Sequence, residues 1–122
     1  MRQPPGESGA RAVERIDDPR EADARVLEHL ARLGCDPAEP REVRHFFFAV
    51  DRVDAERVAD VLAHQGWWAR VDAQDDAWVV VAGNRQSLSP RLVDRTRARF
   101  EALAAQHRAH YDGWEADRSS PP

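Results

Sequence analysis

Three consecutive phenylalanines, Phe46-Phe47-Phe48, stand in a stretch over 42–50 that is mostly apolar. Side chains alternate across a strand, so an apolar run without alternation needs cover on both faces. The run is too short for a buried helix and is rich in aromatic and β-branched residues, which predicts a central strand. Phe46, Phe48 and Val50 then point one way, and Val43, His45, Phe47 and Ala49 the other. A chain with such a strand has to supply a layer for each face.

The flanking sequence supplies helices. Asp18-Pro19 reads as a helix N-cap followed by proline in the first turn, with Glu21 three residues after the cap. Ala22, Val26, Leu30 and Leu33 form one stripe of that helix, which Gly34 ends. A turn-rich connector, 36–40, leads into the phenylalanine strand. Asp51 to Asp54 opens a second helix whose buried face is Ala55, Val58, Ala59 and Leu62, closed by Gly66. A strand over 67–72, a polar turn at Ala73-Gln74-Asp75 and a strand over 76–83 follow. Ser89-Pro90 starts a long third helix, expected to run to about His110, with Leu92, Thr96, Phe100, Leu103, Ala104, His107 and Tyr111 on its inner stripe.

A right-handed crossover makes the first two strands parallel, and the tight turn sets the third antiparallel to the second, between the other two. The expected fold is α+β: a ferredoxin-like split β-α-β sandwich, its sheet antiparallel or mixed with three to four strands, plus an added N-terminal helix. Two helices cover one sheet face. The other face holds some of Phe46, Phe47, Trp67, Trp68 and Trp78, and requires the N-terminal helix, a second subunit or a partner as cover. Residues 1–16 and 115–122 read as disordered tails around a domain at 17–114.

At 122 residues the chain fits one domain. It carries a net charge of −4, and all of its basic residues are Arg. That balance disfavours non-specific nucleic-acid binding, which needs a strong positive field. No apolar stretch reaches membrane-spanning length, and the first residues lack a signal-peptide core. The single Cys35 forms no internal disulfide, consistent with a reducing cytoplasm.

Candidate chemistry is sparse. His107 and His110 stand three apart with Asp112 close by, but two His and one carboxylate fall short of a zinc ligand set. Ser87, Ser89, Ser119 and Ser120 lie in a loop, a cap and a tail, away from an activating base. Asp75 and Asp76 suit a turn, and Asp17 and Asp18 a cap. No glycine-rich phosphate loop is present. No catalytic, cofactor or metal residue is therefore assigned. The block His110-Tyr111-Asp112-Gly113-Trp114 is the most specific oddity. It reads either as a chain reversal, Gly113 turning the backbone so that Trp114 folds onto the core, or as a recognition edge. His110, Tyr111, Asp112, Trp114 and Trp67 are the candidate partner-binding residues.

Three blocks, Pro40-Arg41-Glu42-Val43-Arg44-His45-Phe46-Phe47-Phe48, Ala63-His64-Gln65-Gly66-Trp67 and His110-Tyr111-Asp112-Gly113-Trp114, together resemble the family of regulators of ribonuclease E activity B (RraB). The resemblance covers about residues 22–114. It implies a non-enzymatic, cytoplasmic, ferredoxin-like protein that binds the endoribonuclease RNase E, or another degradosome component, and restrains RNA cleavage, chiefly through the enzyme's non-catalytic scaffold region. It implies no cofactor, no membrane and no direct contact with nucleic acid. The chain departs from the family in two ways. Members continue past the Tyr-Asp-Gly-Trp block into a further strand, whereas Glu115-Ala116-Asp117-Arg118 is polar here, and the long acidic runs of better-known members are missing. The alternative is a homodimeric ferredoxin-like module that binds RNA or a small ligand through its aromatic sheet face.

Overall fold

A computed structural model describes residues 18–117. The expected tail at 1–16, and residues 118–122 of the tail expected at 115–122, lie outside those residues. The elements are α1 (Pro19–Arg32), β1 (Arg41–Ala49), α2 (Arg52–His64), β2 (Trp68–Gln74), β3 (Ala77–Gln86), α3 (Pro90–Gln106) and β4 (Ala109–Ala116). The four strands form one sheet in the order β2-β3-β1-β4. Every neighbouring pair is antiparallel.

This is the split β-α-β arrangement expected from the sequence, and it occurs twice. β1 and β2 run parallel with β3 between them, and β3 and β4 run parallel with β1 between them. Both caps are as read: the Asp18 side chain accepts from Arg20 N at 2.9 Å, and Ser89 Oγ from Leu92 N at 3.3 Å. Each gives a partner to an otherwise unsatisfied amide of the first turn.

Burial alternates along β1, with the two faces made up as read. Arg41, Val43, His45, Phe47 and Ala49 are buried, while Glu42, Arg44, Phe46 and Phe48 are partly exposed. The buried set meets the helices. Phe47 joins Val80, Ala82 and Tyr111 from the sheet, Ala55, Val58 and Leu62 from α2, and Phe100, Leu103 and Ala104 from α3 in one core. A second cluster holds Leu30 of α1, Val43, Leu88 and Val93 of α3. All three helices thus pack on the same sheet face.

That placement answers what covers the second face. The N-terminal helix does not; it lies beside α3. Register puts Phe46 and Phe48 with Val81 and Val79 on the opposite face, alongside Trp68, Arg44, Glu115 and His110. Of the rings expected there, Phe46 and Trp68 are present. Phe47, Trp67 and Trp78 belong to the helix-side core.

The last helix is the main correction. It stops at Gln106, and the residues expected to end it form a fourth strand instead. Glu115 and Ala116, placed in the tail by their polarity, complete that strand. Helical periodicity carries on through His107 and Tyr111, so the pattern alone gave no stop. The break is made by Arg108, whose φ of 55° leaves the helical region. Its guanidinium is held by the buried Asp54 of α2, at 3.5 Å from Nε. At the start of α3 the stripe is also rotated: Val93 and Arg97 are buried, and Leu92 is exposed.

Candidate functional site

The Tyr-Asp-Gly-Trp block is an element of the sheet. Phe46 pairs with Gly113 and Phe47 with Tyr111, so Asp112 is the extra residue of a β-bulge. Gly113 has a φ of 119°, open to glycine and strained for other residues. Tyr111 and Trp114 are three apart and would face opposite ways in a regular strand. The bulge turns both to the helix side, where Tyr111 neighbours Phe47 and Trp114 pairs with His45.

Behind them lies a connected buried polar network. Asp23 of α1 and Arg97 of α3 are only 4% and 7% exposed. Arg97 Nε donates to Asp23 Oδ2 at 2.6 Å, and Nη2 to Oδ1 at 3.0 Å. Trp114 Nε1 donates to the same Oδ1 at 2.8 Å. Arg97 Nη1 donates to Glu101 at 3.0 Å, and the guanidinium lies 4.9 Å from the Tyr111 ring centre. The bond to Asp23 first, and the neighbouring carboxylates, raise the Arg97 pKa and keep it charged. A bidentate pair of this kind fixes orientation as well as charge.

His45 extends the network into the aromatic core. Its Nε2 is 2.8 Å from Gln86 Oε1 and its Nδ1 is 2.8 Å from the Tyr111 hydroxyl. The Gln86 oxygen can only accept, so His45 carries its proton on Nε2 and Nδ1 accepts from Tyr111. Phe100 and Trp67 meet the imidazole edge-on, with ring centres at 4.8 and 5.1 Å. Burial, helped by the charge of Arg97, holds His45 down at about 4. Burial pushes the Tyr111 phenol well above its usual range. Both are neutral near pH 7, matching their mutual hydrogen bond.

The five residues singled out from the sequence therefore separate. Tyr111 is buried, Trp114 is half-buried against α1, and half-buried Trp67 packs on His45 and Phe100. His110 and Asp112 are exposed on β4. His107 is the C-terminal cap of α3. Among the described residues, no group of three or more His, Cys, Asp or Glu is placed to hold a metal ion. Asp23, Arg97 and Gln86 were missed. The signal that could have found them is an Asp and an Arg on apolar helix stripes, where an unpaired charge would be costly.

The uncovered sheet face has its own chemistry. Trp68 is 42% exposed and lies flat on Gly83; a Cβ there would fall inside its indole. Its Nε1 donates to Glu42 at 3.1 Å, and Arg70 lies 6.0 Å from its ring centre. Arg44 pairs with Glu115 at 2.8 Å and Asp117 at 3.3 Å. The face has an apolar centre, half-buried Phe46 and Phe48 over buried Val79 and Val81, ringed by charges of both signs.

Fold and site define a class: an α+β domain whose inward polar side chains are spent on one another, locking helices to a sheet with one face left open. The family model described as Regulator of ribonuclease activity B matches residues 20–116, and the chain belongs to that family. The match starts in α1 and ends with β4, so it spans every described element. No curated protein matches the chain. No helix among the described residues is long and apolar enough to cross a membrane.

Proposed function

We propose that this chain is a cytoplasmic, non-enzymatic regulator that binds an RNase E-type endoribonuclease, or a component of its assembly, and restrains RNA decay. The observation that carries this reading is the family membership, which extends over the whole folded unit. The site agrees with it. Tyr111, His45, Arg97, Asp23 and Trp114 are engaged with each other, and a regulator that acts by contact needs a shaped surface more than reactive groups. His110 and Asp112, exposed on the edge strand, are the proposed contact residues. Tyr111 and Trp114 anchor that strand to the helices from behind, and Trp67 packs on the His45 and Phe100 rings beside Tyr111.

A second reading has its own observation: Trp68, Phe46 and Phe48 lie on a sheet face that no described helix covers. That face could pair two copies, or stack RNA bases or a small ligand. Arg44 and Arg70 on that face are already paired with Glu115 and Asp72, and with a net charge of −4 this disfavours RNA. Affinity capture by the tagged protein, followed by an RNA-cleavage assay with the captured ribonuclease, tests the first reading. Recovery of a ribonuclease with slowed cleavage is expected. Failure to recover a ribonuclease, or recovery with cleavage unslowed, refutes it, and an RNA gel shift or a dimer by light scattering favours the second.

A further inference from the structure

Between α1, the connector after it and the start of α3 lies a half-open cavity of about 330 Å³. Its walls are apolar, chiefly Leu27, Leu30, Ala31, Leu88 and Pro90. The volume falls in the range of small-molecule sites. Of the charged residues that line it, Arg41 is the buried one, only 2% exposed.

Arg41 is under-compensated for a buried cation. Nη1 donates to the Asp117 carbonyl at 3.2 Å, and Nη2 to the Asp36 carbonyl at 3.4 Å. Both bonds are longer than the usual 2.9 Å or so. Its carboxylate neighbour, Glu39, is 4.0 Å from Nη2 and half-exposed. Buried charge is costly unless closely paired. Two further acids line the cavity and are otherwise engaged. Glu28 pairs with Arg32 at 3.6 Å on the surface, and Asp36 Oδ1 accepts from Ala38 N at 2.9 Å.

We propose that this cavity binds a small amphipathic monoanion, a carboxylate on a short apolar chain. The chain lies between Leu27, Leu30, Ala31 and Leu88, and the carboxylate takes the Arg41 guanidinium as its counter-ion. The site is separate from the His45–Tyr111 network and from the open sheet face, and it does not depend on the ribonuclease reading. A ligand seated here would brace α1 against the body of the domain.

The test is titration of the full chain with decanoate, decanol and decylamine below their micelle concentrations, followed by methyl NMR at Ala24 and Ala31. Saturable shifts with decanoate, at least tenfold tighter than with the alcohol or the amine, are expected. Ala31→Trp, which adds bulk at the cavity wall and keeps Arg41, should weaken decanoate at least tenfold. Arg41→Gln, if it folds, should level the three probes. Equal affinity for all three, preference for the amine, or undiminished decanoate binding by the Ala31→Trp variant overturns the proposal.

Discussion

Replacing Asp23 with alanine strikes a residue at which α1, α3 and β4 meet. The substitution removes a carboxylate that accepts three hydrogen bonds, two from Arg97 at 2.6 and 3.0 Å and one from Trp114 at 2.8 Å. Arg97 stays buried, so its charge loses its main partner. Breaking a buried pair by deleting one member costs about 3–5 kcal/mol. Glu101 at 3.0 Å and the Tyr111 ring still support Arg97, which places the expected loss near the lower end, about 3 kcal/mol. For a domain of this size each kcal/mol lowers Tm by about 4–8 °C, so a fall of about 12–24 °C is expected. Asp23 and Leu30 are the buried residues of α1, so α1 should loosen first. Urea unfolding by circular dichroism gives the free energy, and hydrogen exchange over 19–32 reports α1. The double variant Asp23→Leu with Arg97→Met removes both charges and should return to within about 1 kcal/mol of wild type. A single variant losing under about 1 kcal/mol, or a double variant losing the sum of its parts, would show that the network does not hold α1.

Other expectations follow from the same geometry. The His45 pKa is depressed to about 4 from 6.5, so between those values the unfolded chain binds the extra proton and the folded one does not. Stability should therefore be full above about pH 6.5 and fall by about 3 kcal/mol as the pH drops toward 4. His45→Gln should flatten that part of the profile in urea melts at stepped pH. Gly113→Ala forces a side chain onto a φ of 119° and should cost about 1–3 kcal/mol, with a shift in Trp114 fluorescence as the bulge relaxes. Gly83→Val should lift Trp68 off β3, giving a red-shifted emission with little change in the helix-side core. If the edge strand contacts the ribonuclease, pairing His110→Ala with Asp112→Ala should weaken capture while leaving Tm within about 1 °C, since both side chains are exposed.

Much of the architecture was legible because it rests on local rules. Asp18-Pro19 and Ser89-Pro90 mark helix starts by satisfying free amides, and those caps are where they were read. The phenylalanine strand declared its two faces by alternation, and the pairing confirms them. The fourth strand was hidden because Tyr111 continues the 3.6-residue stripe of α3, and no glycine or proline marks the stop. That helix ends at the left-handed turn of Arg108, after which the chain pairs with β1, far away in sequence. The same blindness covers the buried network. Asp23 and Arg97 look like ordinary surface charges until α1 is laid on α3.

The sequence by itself determined the order of elements up to α3, the caps of α1 and α3, the inner face of β1 and the family resemblance, since each depends on neighbours a few residues apart. Only the tertiary structure decided that the Tyr-Asp-Gly-Trp block is a bulged edge strand, that Tyr111 and Trp114 share a face, and that α1 leaves the second sheet face open. Those outcomes depend on which groups meet across the fold. A buried charge or a rotated strand is settled by the partner it finds, and that partner is chosen by packing.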